Sequence, residues 1–279
     1  MRVRPNWAVK VGLSLALFQV VHAWAGDPNE TAHFLAGKPC PNCDLRYENA
    51  SNLVSTGADL RGAYMFNINL HNARLNGASI ESANLEMANL ERADLSRAKL
   101  DRATLSFASL SGATLIKSTL RQVVARQVNF DAADLSNADL STSDLRSASF
   151  INAFAEGANF MSADLRFTDF SKARLSGAQF VNANLANANL TAARLASSDM
   201  RRALMQRINL TGANLSYSNL SGADLSDANL QKADLTGVNL AGANLQNADL
   251  TGAEMGSTLL DGAIICGAKL PAGLQTTPC

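Results

Sequence analysis

The sequence predicts an all-β fold in which the chain turns once in every five residues and stacks these turns on one another. Between residues 56 and 270 the positions that are multiples of five hold thirty Leu among forty-three residues, the others being Met, Ile, Phe or Ala. Two residues earlier stands Ala in thirty-two units, and no charged residue occupies any of these eighty-six places. Proline is absent from the tract. These observations predict an apolar interior and an unbroken hydrogen-bonded backbone.

The five-residue period excludes the two regular alternatives. In an α-helix five residues rotate by about 500°, so successive leucines would drift by about 140° and would form no apolar stripe. In a continuous strand an odd period would send Leu70 and Leu75 to opposite faces. The Ala-x-Leu spacing of two still requires an extended segment within each unit. The chain is therefore predicted to turn once per unit.

Glycine marks the place of that turn. Of the fourteen glycines in the tract, thirteen lie two residues after the leucine position, where a turn with φ > 0 at its second central residue selects glycine. These are Gly57, Gly62, Gly77, Gly112, Gly157, Gly177, Gly212, Gly222, Gly237, Gly242, Gly252, Gly262 and Gly267. Pro39 and Pro41 stand before the tract, and Pro271 stands immediately after it.

The repeat reads Ala213-Asn214-Leu215, Ala223-Asp224-Leu225, Ala233-Asp234-Leu235 and Ala243-Asn244-Leu245, each followed by two loosely specified residues. These units resemble the pentapeptide-repeat family, and the resemblance covers about three quarters of the chain. The resemblance implies a right-handed quadrilateral β-helix with four repeats per coil and with the Leu or Phe and the small residue pointing inward. At twenty residues per coil the tract would make about eleven coils, a rod roughly 50 Å long.

Three units depart from the Ala and Leu pattern: Val123 with Ala125, Val128 with Phe130, and Ala153 with Ala155. The interior column is expected either to narrow or bulge near residues 121–130 and 151–155, or to repack around volume-compensated side chains. The residues expected to fill the space are Phe150, Phe160, Phe170 and Phe180.

Residues 1–25 are predicted to be a secretory signal peptide. Arg2, Arg4 and Lys10 precede an apolar run over residues 11–21, and Ala23-Trp24-Ala25 supplies small residues for cleavage before Gly26. The run is too short to span a bilayer comfortably, so no stable membrane insertion is expected after cleavage. The expected location is periplasmic or secreted.

Residues 26–55 are predicted to form an N-terminal cap and an imperfect first coil before the repeat domain at 56–270. Asp27 and Pro28 are typical of an N-cap followed by proline at N1, and Gly37 of a C-terminal stop, so a short helix carrying Phe34 and Leu35 is expected to cover the first coil. Covering the end of a repeat array protects its apolar interior and unpaired edge. Residues 271–279 are expected to form a C-terminal cap or tail.

The four cysteines are expected to form two disulfides. In a rod of this length Cys40 and Cys43 lie about 50 Å from Cys266 and Cys279, so only Cys40–Cys43 and Cys266–Cys279 are within reach. An oxidising compartment favours such bridges. Because Cys40 and Cys43 have Cys-x-x-Cys spacing, redox catalysis and metal binding remain alternatives to a structural cap, although the βαβ context of thioredoxin-like sites is missing.

No catalytic, cofactor or metal site is predicted from the sequence. His33 and His71 stand alone without metal-ligand spacing, and no phosphate-binding glycine loop or nucleophile elbow occurs. Repeated acids such as Asp139 and Asp144 arise because the residue before each leucine is commonly Asn or Asp, and they are interpreted as a solvated polar face.

Charge and fold together predict an exported, non-enzymatic protein-interaction or structural module. Without residues 1–25 the chain has 21 Lys+Arg against 24 Asp+Glu, a net charge of −3, so nothing favours nucleic acid or a membrane surface as a partner. Some pentapeptide-repeat proteins inhibit DNA topoisomerases by resembling the acidic duplex. This DNA-mimicking inhibitor is the alternative, and the predicted export and near-neutral charge disfavour it.

A column of three arginines is the candidate interaction site. Arg126, Arg146 and Arg166 are spaced by one predicted coil each and should stack at roughly 4.8 Å intervals. Asp144 and Asp164 lie two positions before the last two arginines, so an internally paired ionic surface is one interpretation. The other is a site for an unidentified protein or anionic polymer, because arginines donate in pairs to carboxylates and phosphates. The expected neighbours of this column are Phe167, Met161 and Val181.

Overall fold

A computed structural model describes residues 26 to 271 of the 279-residue chain. The predicted signal peptide at 1–25, the tail beyond residue 271 and the partner proposed for Cys266 at Cys279 lie outside the described residues. Within them the chain forms one short helix, α1, followed by a long β-helix solenoid.

Helix α1, Pro28–Leu35, begins where the sequence predicted. The Asp27 side chain accepts a hydrogen bond from the amide of Asn29, and proline occupies the first turn, where it sacrifices no hydrogen bond. Gly37 follows the helix with a φ of 72°, a conformation that ends helices readily because glycine has no Cβ to clash. Local sequence signals are therefore sufficient to form this element.

The helix covers the N-terminal end of the solenoid. Phe34 is completely buried in the same apolar cluster as the solenoid interior. The Asp44 amide donates to the Glu30 carboxylate at 2.6 Å, and the Asp27 amide donates to the Asp44 carbonyl at 2.9 Å. These contacts satisfy part of the edge that the first coil would otherwise expose.

The solenoid is held by isolated parallel β-bridges that join residues twenty positions apart. The bridges run from Asp44↔Tyr64 to Asp249↔Lys269 and recur once in every five residues. Each coil therefore takes twenty residues and four five-residue units, as the resemblance implied. The first bridges lie within residues 44–55, so the backbone of the first coil is regular although its sequence departs from the repeat.

The backbone hydrogen bonds explain both the period and the exclusion of proline. In the unit 61–65 the amides of the second and fifth residues donate to the following coil, at 2.9 and 2.7 Å, and the amide of the fourth donates to the preceding coil at 2.8 Å. The amide of the third residue closes the turn at 3.1 Å. Proline at any of these places would leave a ladder carbonyl without its donor.

Where Asn or Asp precedes the inward residue, its side chain satisfies the remaining amide. The Glu86 amide donates to Asn84 Oδ1 at 3.0 Å, and the Ser141 amide donates to Asp139 Oδ1 at 3.1 Å. This is the Asx-type bond that short polar side chains form with the backbone two residues on. The interpretation of Asp139 as solvated polar surface was therefore incomplete, because the side chain also holds the turn.

The second residue of every turn is left-handed, whichever residue type it is. All forty-six of these positions from Asn42 to Gly267 have positive φ, and only thirteen of them are glycine. The prediction from glycine placement is confirmed and extends to the whole tract. Non-glycine residues adopt the conformation because the amide at this position is bonded to the next coil and the surrounding coils hold it in place.

We expect Ala192→Gly to stabilise the protein by about 0.5 to 1 kcal/mol. Ala192 has a φ of 56°; relief of the left-handed strain, about 1 to 2 kcal/mol, exceeds the entropy cost of glycine, about 0.5 to 1 kcal/mol. Thermal unfolding measures the change. The adjacent Ala193→Gly is the control: it removes a buried methyl group and should destabilise the protein. A lower midpoint for Ala192→Gly would contradict the strain assigned to this turn.

The interior is an apolar column along the solenoid axis, and the irregular units repack within it. Val123, Ala125 and Val128 are at most 1% exposed, as are the regular Leu and Ala positions around them. The bridges Val124↔Asp144 and Phe154↔Arg174 continue the parallel series without interruption. The departures from the repeat therefore change the side chains and leave the ladder intact, which favours repacking over a bulge.

Phenylalanines fill the middle of this column, as expected. Phe130, Phe150 and Phe170 stack on successive coils with ring centroids 4.9 and 4.4 Å apart. Phe160 stacks on Phe180 at 5.0 Å. The two stacks meet edge to face, with centroids 5.7 Å apart between Phe160 and Phe170. Both arrangements are favourable for aromatic rings, so phenylalanine fills the middle coils while leucine predominates in the coils on either side.

Candidate interaction site

The structure brings Arg126, Arg146 and Arg166 to consecutive coils at one edge of the solenoid. Each arginine directly follows an inward residue and opens a turn. The Arg146 carbonyl accepts the amide of residue 127 at 3.0 Å, and the Arg166 carbonyl accepts the amide of residue 147 at 2.9 Å. These bonds fix the spacing between the three side chains through the backbone ladder. We call the three residues the arginine column.

Two aspartates are interleaved with the arginine column. Asp144 accepts from Arg146 Nε and Nη2, both at 2.8 Å, and from Arg126 Nε at 2.7 Å. Asp164 accepts from Arg166 Nε at 2.8 Å and Nη2 at 2.6 Å, and its Oδ2 lies 3.6 Å from Arg146 Nε. Three guanidinium groups thus share two carboxylates, and the column keeps an excess of one positive charge.

These contacts shift the titration of both aspartates. Hydrogen bonds from Arg146 hold the pKa of Asp144 well below its usual range, against the opposing effect of partial burial, and Arg126 lowers it further. Hydrogen bonds from Arg166 likewise lower the pKa of Asp164. Both carboxylates are therefore ionised at any pH near neutrality.

The lowered pKa values predict a loss of stability in acid. The pKa of Asp144 in the folded state lies below its unfolded value of 3.8, so the group contributes stability above that pH and loses it as the pH falls towards the folded pKa. We expect the melting temperature to fall between about pH 4 and pH 2, and to fall less in Arg126→Gln/Arg146→Gln/Arg166→Gln, which lacks the donors. Equal slopes for the two proteins would show that the pairs are not linked to folding.

A shallow recess of about 280 Å³ runs along the arginine column. It is lined by Arg126, Gln127, Arg146, Ser147, Arg166 and Phe167. Phe167, expected beside the column, is 59% exposed at its end. Met161 and Val181, also expected nearby, open the turns at the other edge of the same side and do not line this recess.

The same edge carries exposed apolar side chains that the sequence analysis missed. Tyr47, Met87 and Phe107 are 39%, 50% and 55% exposed, and they occupy the same place in the coil as Phe167. Phe66, on an adjoining position, meets Tyr47 edge to face at 5.5 Å. The signal was present in the sequence, because residues 47, 87, 107 and 167 differ by multiples of twenty. We call Tyr47, Phe66, Met87 and Phe107 the aromatic edge.

The first pair of cysteines forms the predicted disulfide. Cys40 and Cys43 are joined, with their Cα atoms 5.4 Å apart, and both are buried beneath helix α1. The Cys40 sulfur also lies 3.6 Å from the Glu30 carbonyl oxygen of that helix. Joined sulfurs cannot act as a thiolate ligand pair, so this bridge fits a structural cap. The Cys266–Cys279 pairing stays a prediction.

The two histidines in the described part of the chain do not form a metal-binding or catalytic group. His71 Nδ1 lies 3.9 Å from a Glu91 carboxylate oxygen, and His33 lies in the last turn of helix α1. Between residues 26 and 271 no group of three or more His, Cys, Asp or Glu side chains is arranged to hold a metal ion. In the same residues no helix combines the length and apolar character needed to cross a membrane.

The chain matches one protein-family model and several solved structures. The family model described as pentapeptide repeats matches eight times over residues 56–267. HetL, a pentapeptide repeat protein involved in heterocyst differentiation regulation from the cyanobacterium Nostoc sp. strain PCC 7120, is 30% identical, with a TM-score of 0.51. The match covers 88% of this chain and 97% of HetL.

Two further structures match less closely. Rfr23, a pentapeptide repeat protein from the cyanobacterium Cyanothece 51142, is 38% identical over 33% of this chain and 63% of its own, with a TM-score of 0.33. QnrB1, a plasmid-mediated fluoroquinolone resistance protein, is 22% identical over 63% of this chain and 88% of its own, with a TM-score of 0.31. No curated protein sequence matches the chain significantly.

Proposed function

Because the chain belongs to the pentapeptide-repeat family, we propose that it is a non-enzymatic module that binds another protein along one edge of its solenoid. The residues called the aromatic edge and those of the arginine column follow one another on successive coils along this one corner of the solenoid. Repeat solenoids offer long, regular surfaces of this kind, and stacking rigid coils keeps such a surface ordered before it meets a partner.

The residue types along this edge carry the proposal. Tyr, Phe, Met and Arg are the types enriched in protein interfaces and in their energetic hot spots. Here they follow one another from Tyr47 to Phe167 and are partly or largely exposed. The partner surface that fits them is apolar opposite the aromatic edge and acidic opposite the arginine column.

The internal ion pairs are compatible with such a partner. Exposed salt bridges contribute about 0 to 1 kcal/mol each, so a carboxylate on a partner competes with Asp144 and Asp164 at little cost. Arg126 binds Asp144 through Nε alone, which leaves its terminal nitrogens available for a second carboxylate. The excess positive charge of the column also favours an acidic surface.

We expect Arg126→Gln/Arg146→Gln/Arg166→Gln to abolish capture of the partner while the solenoid stays folded. The experiment compares proteins recovered from the native compartment by the wild type and by the variant, at low and moderate salt. The matched control is Arg61→Gln/Arg121→Gln/Arg201→Gln, which removes three exposed arginines that open turns and pair with aspartates elsewhere. Undiminished capture by the first variant, or equal loss with the control, would contradict the proposed site.

Export is part of the same proposal. It rests on the sequence of residues 1–25, and it divides the chain into a signal peptide, a cap with the first coil at 26–55, a repeat domain at 56–270 and a tail at 271–279. We expect the native protein to begin at Gly26 and to be recovered from the periplasm or the medium. N-terminal sequencing after cell fractionation tests this, and an intact Met1 in the cytoplasm would contradict it.

The finer geometry of the rod and the alternative function also stay predictions. The winding is proposed to be right-handed and four-sided, with about eleven coils.

Inhibition of a DNA topoisomerase by duplex mimicry, the alternative function, would need a cytoplasmic protein with a continuous row of free carboxylates. The pairing of Asp144 and Asp164 with arginines disfavours such a row on this edge. An exported mature protein would exclude an intracellular enzyme as its target.

A further inference from the structure

A second cluster of positively charged side chains lies on another side of the solenoid, and its members are not ion-paired within the described residues. Arg97, Lys99, Arg102 and Lys117 are all exposed, and within residues 26–271 none of them forms an ion pair. They contrast with the arginine column, where every guanidinium meets a carboxylate. We call these four residues the basic strip.

The backbone ladder places the basic strip on two adjacent coils of one side. The Arg97 amide donates to the carbonyl of residue 116, next to Lys117, at 2.9 Å. Lys99 bridges residue 119 on the same neighbouring coil, and Arg102 donates to residue 121 at 2.9 Å. The strip therefore extends across the side, over at most about 17 Å, and is about 5 Å deep along the axis.

Nearby carboxylates offset the charge of the strip only in part, because none of them forms an ion pair with its four members. Asp101 lies within it but is bonded to Arg121 at 2.5 Å, so that pair adds no net charge. Asp94 borders the recess that contains Arg97 and Lys117, and Glu81 and Asp139 lie on the flanking coils of the same side. Four positive charges thus stand on two coils of a protein whose formal net charge is zero.

We infer that the basic strip binds a linear acidic polysaccharide of the polyuronate type, laid across the solenoid along the strand direction. Arginine presents paired donors to carboxylates, and lysine adds a mobile point charge that tolerates variation in their spacing. The flat, regular side suits an extended chain. Ser96 and Gln122 at its edges offer hydrogen bonds to sugar hydroxyl groups.

The shape and composition of the strip favour this polymer over other polyanions. A DNA duplex presents two phosphate rows across grooves about 12 and 6 Å wide, whereas the strip is one coil spacing deep. Single-stranded nucleic acid is bound by stacking bases on aromatic rings, and no aromatic residue faces outward on this side between residues 96 and 122. An acidic peptide would need apolar anchors, and Ile116 alone offers one.

The test measures binding of an oligouronate to the purified full-length mature protein. We expect Arg97→Gln/Lys99→Gln/Arg102→Gln/Lys117→Gln to raise Kd about tenfold or more. The matched control is Lys172→Gln/Arg194→Gln/Arg202→Gln/Lys232→Gln, on other parts of the surface. Both sets contain two arginines and two lysines, with three residues at left-handed turn positions and one at a bridge. We expect the control to leave Kd nearly unchanged.

Three outcomes would overturn the inference. The first is that the wild type does not bind the oligouronate, and the second is that both variants weaken binding equally. The third is that poly-glutamate or single-stranded DNA binds equally tightly and the same substitutions remove that binding. The last outcome would show a general anion site rather than a polysaccharide site. Circular dichroism and the melting temperature establish that the variants are folded. If the quadruple variant is unfolded, the double variant Lys99→Gln/Lys117→Gln tests the inference instead, and its Kd for the oligouronate is expected to rise about threefold.

Discussion

Leu225→Asp is expected to destabilise the protein by several kcal/mol and to disrupt the coils on either side. Leu225 is completely buried, and its amide donates to the carbonyl of residue 244 on the next coil at 2.7 Å. A carboxylate in this dry column must either stay charged without a partner or take up a proton, and both are costly. Because each coil is stabilised by its neighbours, the damage spreads along the axis.

Chemical denaturation and the β-type circular dichroism spectrum of the variant measure this effect. Leu225→Met, which conserves volume and polarity, should cost less than about 1.5 kcal/mol. Ser226→Asp places the same carboxylate one residue further on, in the partly exposed turn beside Asp224, and should cost far less, because a charge that reaches solvent keeps most of its hydration. Unchanged stability of Leu225→Asp would show that the leucine positions do not form the interior.

Phe160→Ala is expected to cost about 3 to 5 kcal/mol, the range for emptying a buried aromatic position. Phe160 is completely buried and contacts three other rings: it stacks on Phe180 and meets Phe150 and Phe170 edge to face. Rigid coils on both sides limit collapse of the cavity, which favours the upper part of the range.

Phe160→Leu separates the loss of volume from the loss of aromatic contacts. Leucine is the common residue at this position of the repeat, so it should fit the backbone and lose less stability than alanine. Thermal and denaturant unfolding of both variants provide the comparison. Equal losses for Leu and Ala would show that ring contacts, rather than filled volume, determine stability here.

Much of the fold was predictable because every repeat shows which positions must be buried and which must turn. The Leu and Ala positions had to be interior, since no charge ever occupies them, and the glycines marked the left-handed turn. The cap helix was predictable from Asp27 and Pro28, which are typical of a helix N-terminus. What the local pattern did not indicate was that Asp139 and its equivalents hold the turn by accepting from the amide two residues on, because a polar residue at that place also fits simple solvent exposure.

The candidate surfaces were predictable only in part. The twenty-residue spacing of Arg126, Arg146 and Arg166 was sufficient to place them together once a coil length was assumed. The aromatic edge and the basic strip needed the same arithmetic applied to every outward position. Even then spacing alone does not show which cations are paired: Arg97 stands in sequence near Asp94 and Asp101, yet neither carboxylate bonds to it.

The sequence by itself determined that this chain turns every five residues around an apolar interior, because backbone geometry and burial act within a few neighbouring residues and repeat in every unit. Only the tertiary structure decided which charges neutralise one another. Asp144 bonds to Arg126, eighteen residues before it, as well as to Arg146, two residues after it. Contacts between coils depend on rotamers and competing partners in three dimensions, and no single unit contains that information.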